Sequence, residues 1–544
     1  MYAIDFGTSN TVVTRQNAQT QQPETLSFPG LSAQQKGNPS LIPSLLYVEK
    51  MAATAEDSQV IAGQTVRDRG LDVANNPRFF RSFKRGIGTS VQGFIPELDG
   101  QVPSFEQIGS CFLQQVIGRI KAQDPEFDSL VLTVPVDSFE AYRLWLEQVC
   151  QSLDIKQVRL LDEPTAAALG YELSANQRTV LVVDFGGGTL DFSLIQLAGM
   201  DKATGQKPTG FLLGWGKKAA AKAAPSVGPT GGSKTVRVLA KAGENLGGAD
   251  VDRWLVDYFA QSQDLPVTAV TLRLAEKLKI ALSSVAEATE AYFDEETLDS
   301  YELSLTRDRF EKVLSDKGFF DRLDNRLDQV LQQAQRQEIT ADDIDAVLLV
   351  GGSAQIPAVQ SWARRHFATD KIRGDRPFEA VAQGALCLAD TTVQDFLYHS
   401  YGIRYWDRRN NAHSWHPIIK RGQPYPMEKP VELFLGASSE NQPSIELILG
   451  ELGEQAPTRN EVYFEGDQLV MRQASSDNKT SSAVPLNDRE GARTIANLMP
   501  LGFPGSDRIR VLFSIDADRF LRMTVEDLLT TETLLADQVV VQLS

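Results

Sequence analysis

The chain has 544 residues, 42% apolar and 23% charged, with 54 Lys and Arg against 71 Asp and Glu and a formal net charge of −17. That length exceeds what one core can organise and calls for two or more domains, while the acidic balance argues against nonspecific binding to nucleic acid or to an anionic membrane. Three cysteines (Cys111, Cys150, Cys387) without a CxxC pair argue against a disulfide scaffold or a zinc site and fit a reducing compartment, and no apolar stretch is long enough to span a bilayer. In chain order, residues 1–15 read as strand, starting so close to Met1 that no signal peptide is expected and a cytoplasmic location follows. Residues 129–136 read as a second strand, followed over 138–153 by a helix with Phe139, Tyr142, Trp145, Leu146 and Val149 at helical spacing. Residues 181–196 read as a hairpin around Gly186, Gly187 and Gly188. The segment 214–234 is rich in Lys and Ala, then in Pro, Gly and Ser. Its run from Gly228 to Thr235 narrowly misses a Walker loop, because Ser233 stands where the glycine before the lysine is needed and no strand feeds it. It reads as an exposed, mobile loop whose Lys217, Lys218, Lys222 and Lys234 are solvated.

Residues 250–337 read as mainly helical, with a strand-like interruption at 301–305 and Thr306 placed to cap the next helix. Residues 345–353 form a buried strand pattern ending in a glycine turn, a helix begins near Pro357, and 379–389 predicts another helix. After Asp390 the pattern alternates, in runs at 431–435, 445–449, 462–464, 508–515, 520–525 and 539–543. Ile509, Val511, Phe513 and Ile515 fall on one face, with Arg508, Arg510 and Ser514 opposite, which predicts an all-β, sandwich-like domain. His413 and His416, three apart with no third ligand nearby, read as loop residues.

Two segments carry chemistry. Asp5-Phe6-Gly7-Thr8-Ser9-Asn10 ends the first strand, and Asp184-Phe185-Gly186-Gly187-Gly188-Thr189 repeats the device. Such turns present backbone N–H groups to phosphate oxygens, and the Asp offers a carboxylate to a cation's water. The pair predicts two related lobes gripping one nucleotide. Read together with Asp162-Glu163-Pro164-Thr165-Ala166-Ala167-Ala168, these residues resemble the 70-kDa heat-shock (DnaK-like) chaperone family. The resemblance implies an α/β actin-like ATPase domain of two duplicated lobes over 1–388, a linker over 389–400, and an all-β sandwich-like peptide-binding domain over 401–544.

It also implies roles. Gly7, Thr8, Ser9 and Asn10 would form one phosphate cradle, and Gly186, Gly187, Gly188 and Thr189 the other, with Thr189 also among the hydrolytic residues. Asp5, Asp184 and Asp191 would serve Mg²⁺, largely through water, beside ATP or ADP, with K⁺ as a companion ion. Lys84, in Phe83-Lys84-Arg85-Gly86-Ile87-Gly88, matches the catalytic lysine that neutralises the γ-phosphate, and Glu163 the residue that orients the attacking water. Alone, Lys84 would read as a surface lysine in a basic cluster with Arg78, Arg81 and Arg85, and Glu163 as a helix N-terminal carboxylate. Glu276, Lys279 and Ser283, on one helix face, and Gly351, Gly352, Ser353 and Gln355 opposite would hold the adenosine, with Gly247 and Gly248 as a further loop. Pro135 and Arg143 match a pair that passes the nucleotide state between lobes and domains.

The chain departs from the family at several places. Gln355 replaces an arginine that stacks on the base in many members, Asn245 replaces a histidine ahead of Gly247, and Arg519 replaces a glycine in Ile515-Asp516-Ala517-Asp518-Arg519. The stretch 393–402 keeps Asp395 and an apolar centre but adds aromatics, so coupling of the domains is an expectation only. The last strand runs up to Ser544, so no helical lid is expected, and peptide exchange should be fast. The resulting reading is a monomeric ATP-dependent chaperone for unfolded or extended clients, served by a J-domain co-chaperone and a nucleotide-exchange factor, without nucleic-acid binding or membrane insertion. The alternatives are a nucleotide-sensing regulator or scaffold with one dedicated partner, and a sugar or acetate kinase.

Overall fold

The computed structural model describes the chain except residues 18, 21, 34–37, 74–75, 90–94, 136–139, 172, 174–177, 199–233, 294–297, 299, 388–390, 398, 408–411, 421–422, 428, 454–457, 466–467, 476–481, 487–492, 517–518 and 544. Most of the lysine-bearing loop, the start of the helix expected at 138 and parts of the expected linker therefore lie outside the described residues. The chain forms two compact units, Met1–Val393 and Gln394–Ser544. Among the described residues no helix is long and apolar enough to cross a membrane.

The first unit is built on two large sheets. In one, β1 (Tyr2–Phe6) pairs antiparallel with β2 (Asn10–Gln16), and β2 pairs antiparallel with β3 (Pro23–Thr25). The helix α1 (Phe105–Gln123) then leads to β4 (Ser129–Val134), and α2 (Glu140–Ser152) leads to β5 (Gln157–Asp162). Both strands extend the sheet in parallel, giving the order β3-β2-β1-β4-β5. After the short α3 (Glu163–Gly170), β6 (Thr179–Phe185), β7 (Leu190–Ala198) and β8 (Lys234–Glu244) run antiparallel in succession. Next come α4 (Gly248–Gln263), α5 (Ala269–Ser284), the hairpin β9 (Glu287–Phe293) and β10 (Ser300–Thr306), and the helices α6 (Arg307–Asp316) and α7 (Phe319–Gln335). The second sheet is completed in parallel by β11 (Ala346–Val350), then α8 (Pro357–His366), then β12 (Ile372–Arg373). Five of its strands, in the order β8-β7-β6-β11-β12, have the same pattern of directions as the first.

Each sheet has its own core. Phe6, Phe83, Phe112 and Trp145 cluster on the first, with Phe6 and Phe112 stacked at 5.7 Å. Phe185, Phe192, Phe319 and Trp362 sit on the second. Burying a large apolar side chain of this kind is worth about 1.5–3 kcal/mol. Between the sheets, α3 crosses α9 (Ala380–Ala385). A Cβ on Gly384 would overlap the Ala166 carbonyl, and one on Gly170 the Ala380 carbonyl. The Ala-Ala-Ala run is therefore small because two helix backbones touch there.

Several sequence expectations change. The stretch after Ser284 is a two-stranded hairpin, not helix, because β9 finds its partner in β10 rather than in its own turn. Thr306 does cap α6, its side chain accepting from the Arg309 N–H. The final helix is shorter than 379–389, spanning Ala380–Ala385. A three-stranded sheet of Gln59–Ala62, Leu45–Lys50 and Phe79–Arg81 was not foreseen.

Among the described residues the second unit contains strands and no helix. One four-stranded sheet joins Val431–Gly436, Asp507–Ile515, Phe520–Asp527 and Thr533–Gln542, and another joins Ala412–Ile419, Ser400–Asp407, Leu449–Gly453 and Ser482–Pro485. Their shared core includes Tyr401, Ile403, Ile509, Val511, Phe513 and Ile515, and also Leu397, which falls in the segment expected to be a linker. His413 and His416 are strand residues, opposite Trp406 and Ile403, not loop residues. Arg508, expected on the polar face, is buried and donates to both Asp527 oxygens at 3.0 and 2.8 Å. Arg519 takes φ 61°, so an arginine here adopts the left-handed turn that glycine would favour.

Candidate functional site

The two Asp-Phe-Gly turns end the central strands of the two sheets, β1 and β6, and meet face to face. A Cβ on Gly187 would overlap the Ser9 side chain, and one on Gly188 the Thr8 side chain. Glycine is thus required where the loops of the two sheets close on each other. The first turn is fixed by Ser44, whose hydroxyl donates to the Gly7 carbonyl at 2.7 Å and whose N–H donates to the Ser9 carbonyl at 2.9 Å. The second is fixed by the Gly186 N–H donating to the Thr189 carbonyl at 3.1 Å. Two further segments cover the second turn. Gly248 and Ala249 donate to the carbonyls of Gly186 and Gly187 at 3.0 and 2.9 Å, and the Ser353 hydroxyl donates to Gly186 at 2.9 Å. Gly351 (φ +82°) lies so close that a Cβ would overlap the Phe185 carbonyl.

Beside the first turn lies the charged centre. Lys84 stands on a short 3₁₀ turn, Phe83–Gly86, and is only 8% exposed. Its ammonium donates to Glu163 at 2.9 Å, the first residue of α3. Burial opposes the Lys84 charge, but Glu163, Tyr142 and Asp5 outweigh it and hold the pKa above its ordinary value. Asp5 accepts from the Thr133 hydroxyl at 2.8 Å. Desolvation, reinforced by the Glu163 charge, pushes it up to about 7. Asp184, opposite Asp191 in the β6–β7 register, is pushed well above the carboxylate range by burial and then by Glu163, Asp191 and Asp5. Lys84 is thus neither exposed nor part of a free basic cluster. Arg78 pairs with Asp99 at 2.7 Å, Arg85 with Asp250 at 3.0 Å, and Arg81 lies 4.0 Å from both Asp252 and Glu276.

The third group lies on α5. Lys279 reaches Asp252 at 2.7 Å and donates to the Gly248 carbonyl at 2.9 Å, which ties the helix to the loop above Gly186. Desolvation pushes Asp252 up to about 6 against the pull of Lys279. Glu276 pairs with Arg67 at 3.2 Å, and the charges of Arg67 and Arg81 overcome its burial and lower its pKa. Ser283 turns its hydroxyl back to the Lys279 carbonyl at 3.0 Å. Gly352 faces the Phe378 ring, and Gln355 follows on the same short 3₁₀ turn as Ser353.

Arg143 lies 3.4 Å from Asp162, whose other oxygen accepts from Lys241 at 2.8 Å. Asp162 precedes α3 but makes no side-chain cap bond, because its carboxylate faces these two cations. All three are buried, and the pair Asp162–Lys241 joins the end of β5 in one sheet to β8 in the other. Sequence reasoning missed Arg67, Asp162, Lys241, Asp252 and Tyr142. Lys241 did carry a signal, a charge flanked by Ala240 and Ala242 in a largely apolar strand whose other charge is Arg237, whereas Arg67 and Asp252 sit in no recognisable motif.

The family model described as "Hsp70 protein" matches residues 90–202 and 231–398, just over half of the chain. The matched spans include Pro135, Arg143, Glu163, the second Asp-Phe-Gly turn, Gly247 and Gly248, the α5 residues and the 351–355 turn. The first turn and Lys84 precede them.

Proposed function

The chain belongs to the Hsp70 family, whose members are ATPases, and from that premise we propose that it is an ATP-dependent chaperone in which the first unit binds and hydrolyses ATP and the β unit holds extended client polypeptides. The observation that carries this reading is the buried Lys84–Glu163 pair, 2.9 Å apart, next to the place where the two phosphate-type turns meet.

The residues fit a magnesium nucleotide. Asp5 and Asp184 are carboxyls whose pKa values burial and the Glu163 charge raise, with Asp191 and Asp5 adding to the rise at Asp184, an arrangement that gains from a nearby cation. Among the described residues no three acidic, His or Cys side chains close directly around a metal position, which suits an ion held through water by Asp5, Asp184 and Asp191. Mg²⁺, when bound, would supply charge that neutralises phosphate oxygens. Gly7 to Asn10 and Gly186 to Thr189 would offer backbone N–H groups and hydroxyls from the two lobes of a duplicated actin-like domain. Lys84 would bring a fixed positive charge to the terminal phosphate, and Glu163 would hold the attacking water. Glu276, Lys279, Ser283 and Gln355 would line the nucleoside side, and Pro135 with Arg143 would pass the nucleotide state onward.

The test is phosphate release from Mg-ATP by the full chain, with and without an extended apolar peptide and a J-domain protein. Peptide-stimulated release is expected. Hydrolysis at background level in every mixture would overturn the enzyme assignment, and phosphorylation of a sugar or acetate would move the chain to the kinase reading.

A further inference from the structure

Tyr142 is used by none of the roles above. It lies on α2, next to Arg143, and its side chain is 4% exposed. Its ring packs against Trp145, with centroids 5.6 Å apart. The Lys84 ammonium lies 6.0 Å from the centre of that ring and 5.6 Å from the centre of Phe6, so the lysine is held between two aromatic faces and Glu163. The Tyr142 hydroxyl is buried and has no hydrogen-bond partner among the described residues.

An unsatisfied buried hydroxyl costs about 1–3 kcal/mol, and phenylalanine would fill the same space without that cost. An orphaned polar group of this kind calls for a partner from outside the protein, such as a water, an ion or a ligand. The surroundings say which ligand. The charges acting on Tyr142 are Lys84, Glu163 and Asp5 from the reaction centre, and Arg143 from its own helix. Burial raises its pKa, so the phenol stays a neutral donor. A terminal phosphate has three oxygens, more than one lysine already committed to Glu163 can satisfy.

We propose that the Tyr142 hydroxyl donates a hydrogen bond to an oxygen of the terminal phosphate, so that the site distinguishes a nucleoside triphosphate from a diphosphate through this residue as well as through Lys84. The proposal rests on the nucleotide reading given above. It makes Tyr142 a ligand-binding residue and requires no further bond to form or break.

The experiment compares wild type with Tyr142→Phe, which removes the hydroxyl and keeps the ring under Lys84. Calorimetry would measure Mg-ADP binding with and without beryllium fluoride, a mimic of the terminal phosphate. Affinity for Mg-ADP should stay within about twofold, whereas affinity for the fluoride complex should fall about tenfold, the worth of one hydrogen bond to a charged acceptor. The melting temperature of the ligand-free variant should not fall, because no bond is lost. Equal affinity of variant and wild type for the fluoride complex would overturn the proposal while leaving the nucleotide site intact. A parallel loss for both ligands with a lower melting temperature would also overturn it, by making Tyr142 structural. Wild type that fails to bind Mg-ADP would remove the nucleotide reading and this inference with it.

Discussion

The two sheets of the first unit share strand order and direction, and each central strand ends in Asp-Phe-Gly, yet the two turns are surrounded differently. The turn after Asp5 carries Thr8, Ser9 and Asn10 and faces a lysine, a glutamate and a tyrosine. The turn after Asp184 is all glycine to Thr189 and is roofed by backbone from Gly248, Ala249 and Gly351 and by the Ser353 hydroxyl. One topology therefore delivers two carboxylates, and the inserted segments give them different work. The small sheet that includes Phe79–Arg81 feeds the Lys84 turn, which places charge beside the first Asp. Helices α4 and α5 close backbone over the second. On the proposed function the first turn would be the reaction side and the second the gripping side.

The largest way to break that contrast is Lys84→Ala. If chemistry belongs to the first turn, turnover should fall by at least about a thousandfold, roughly 4 kcal/mol of barrier, while Mg-ATP still binds. Single-turnover hydrolysis together with equilibrium binding measures both. Near-wild-type turnover would return Lys84 to a structural ion pair.

A smaller effect is expected at the tie between the sheets. Lys241→Met leaves the buried Asp162 carboxylate without its 2.8 Å partner on β8. Removing one member of a buried pair typically costs about 3–5 kcal/mol, and Arg143 remains to offset part of it, so about 2–3 kcal/mol is expected in denaturant unfolding. The double change Asp162→Asn with Lys241→Met should recover most of that loss. If the double variant is as unstable as the sum of the single changes, the pair does not join the sheets energetically.

Where the site could be read in the sequence, the reason was local. Asp-Phe-Gly at the end of an apolar run fixes a strand and a turn within a few residues, and Glu-Pro-Thr-Ala-Ala-Ala encodes a short helix whose small face is needed at the Gly170–Gly384 crossing. The residues missed are those whose partners lie far along the chain, such as Arg67 with Glu276, Lys241 with Asp162, and Tyr142 under Lys84. No spacing rule connects them, because they are brought together only when the sheets close. The Glu287–Phe293 strand was hidden for the same reason. Its Glu-Ala-Thr-Glu-Ala composition suits a helix, and pairing with Ser300–Thr306 overrides that preference.

The smallest effect compares the two aspartates directly. In the ligand-free protein both carboxyls have raised pKa values, Asp5 to about 7 and Asp184 well above its ordinary value, so the folded state binds more protons than the unfolded chain. Their contribution to stability is therefore greatest below about pH 4 and declines as pH rises through 7. Asp184→Asn removes one of these charges and relieves the repulsion felt from Asp191, Asp5 and Glu163. Melting in the presence of a chelator should show the variant gaining on wild type between pH 5 and pH 8. Binding should move the other way, because the same change takes a carboxylate from the cation. Affinity for Mg-ATP should drop about tenfold, and affinity for ATP without metal should change little. Asp5→Asn should gain less in the melting measurement and lose as much in Mg-ATP affinity, since Lys84 and Thr133 already moderate Asp5 while both carboxylates would serve one ion. Equal losses with and without Mg²⁺ for either variant would mean that this aspartate shapes its turn without serving a cation.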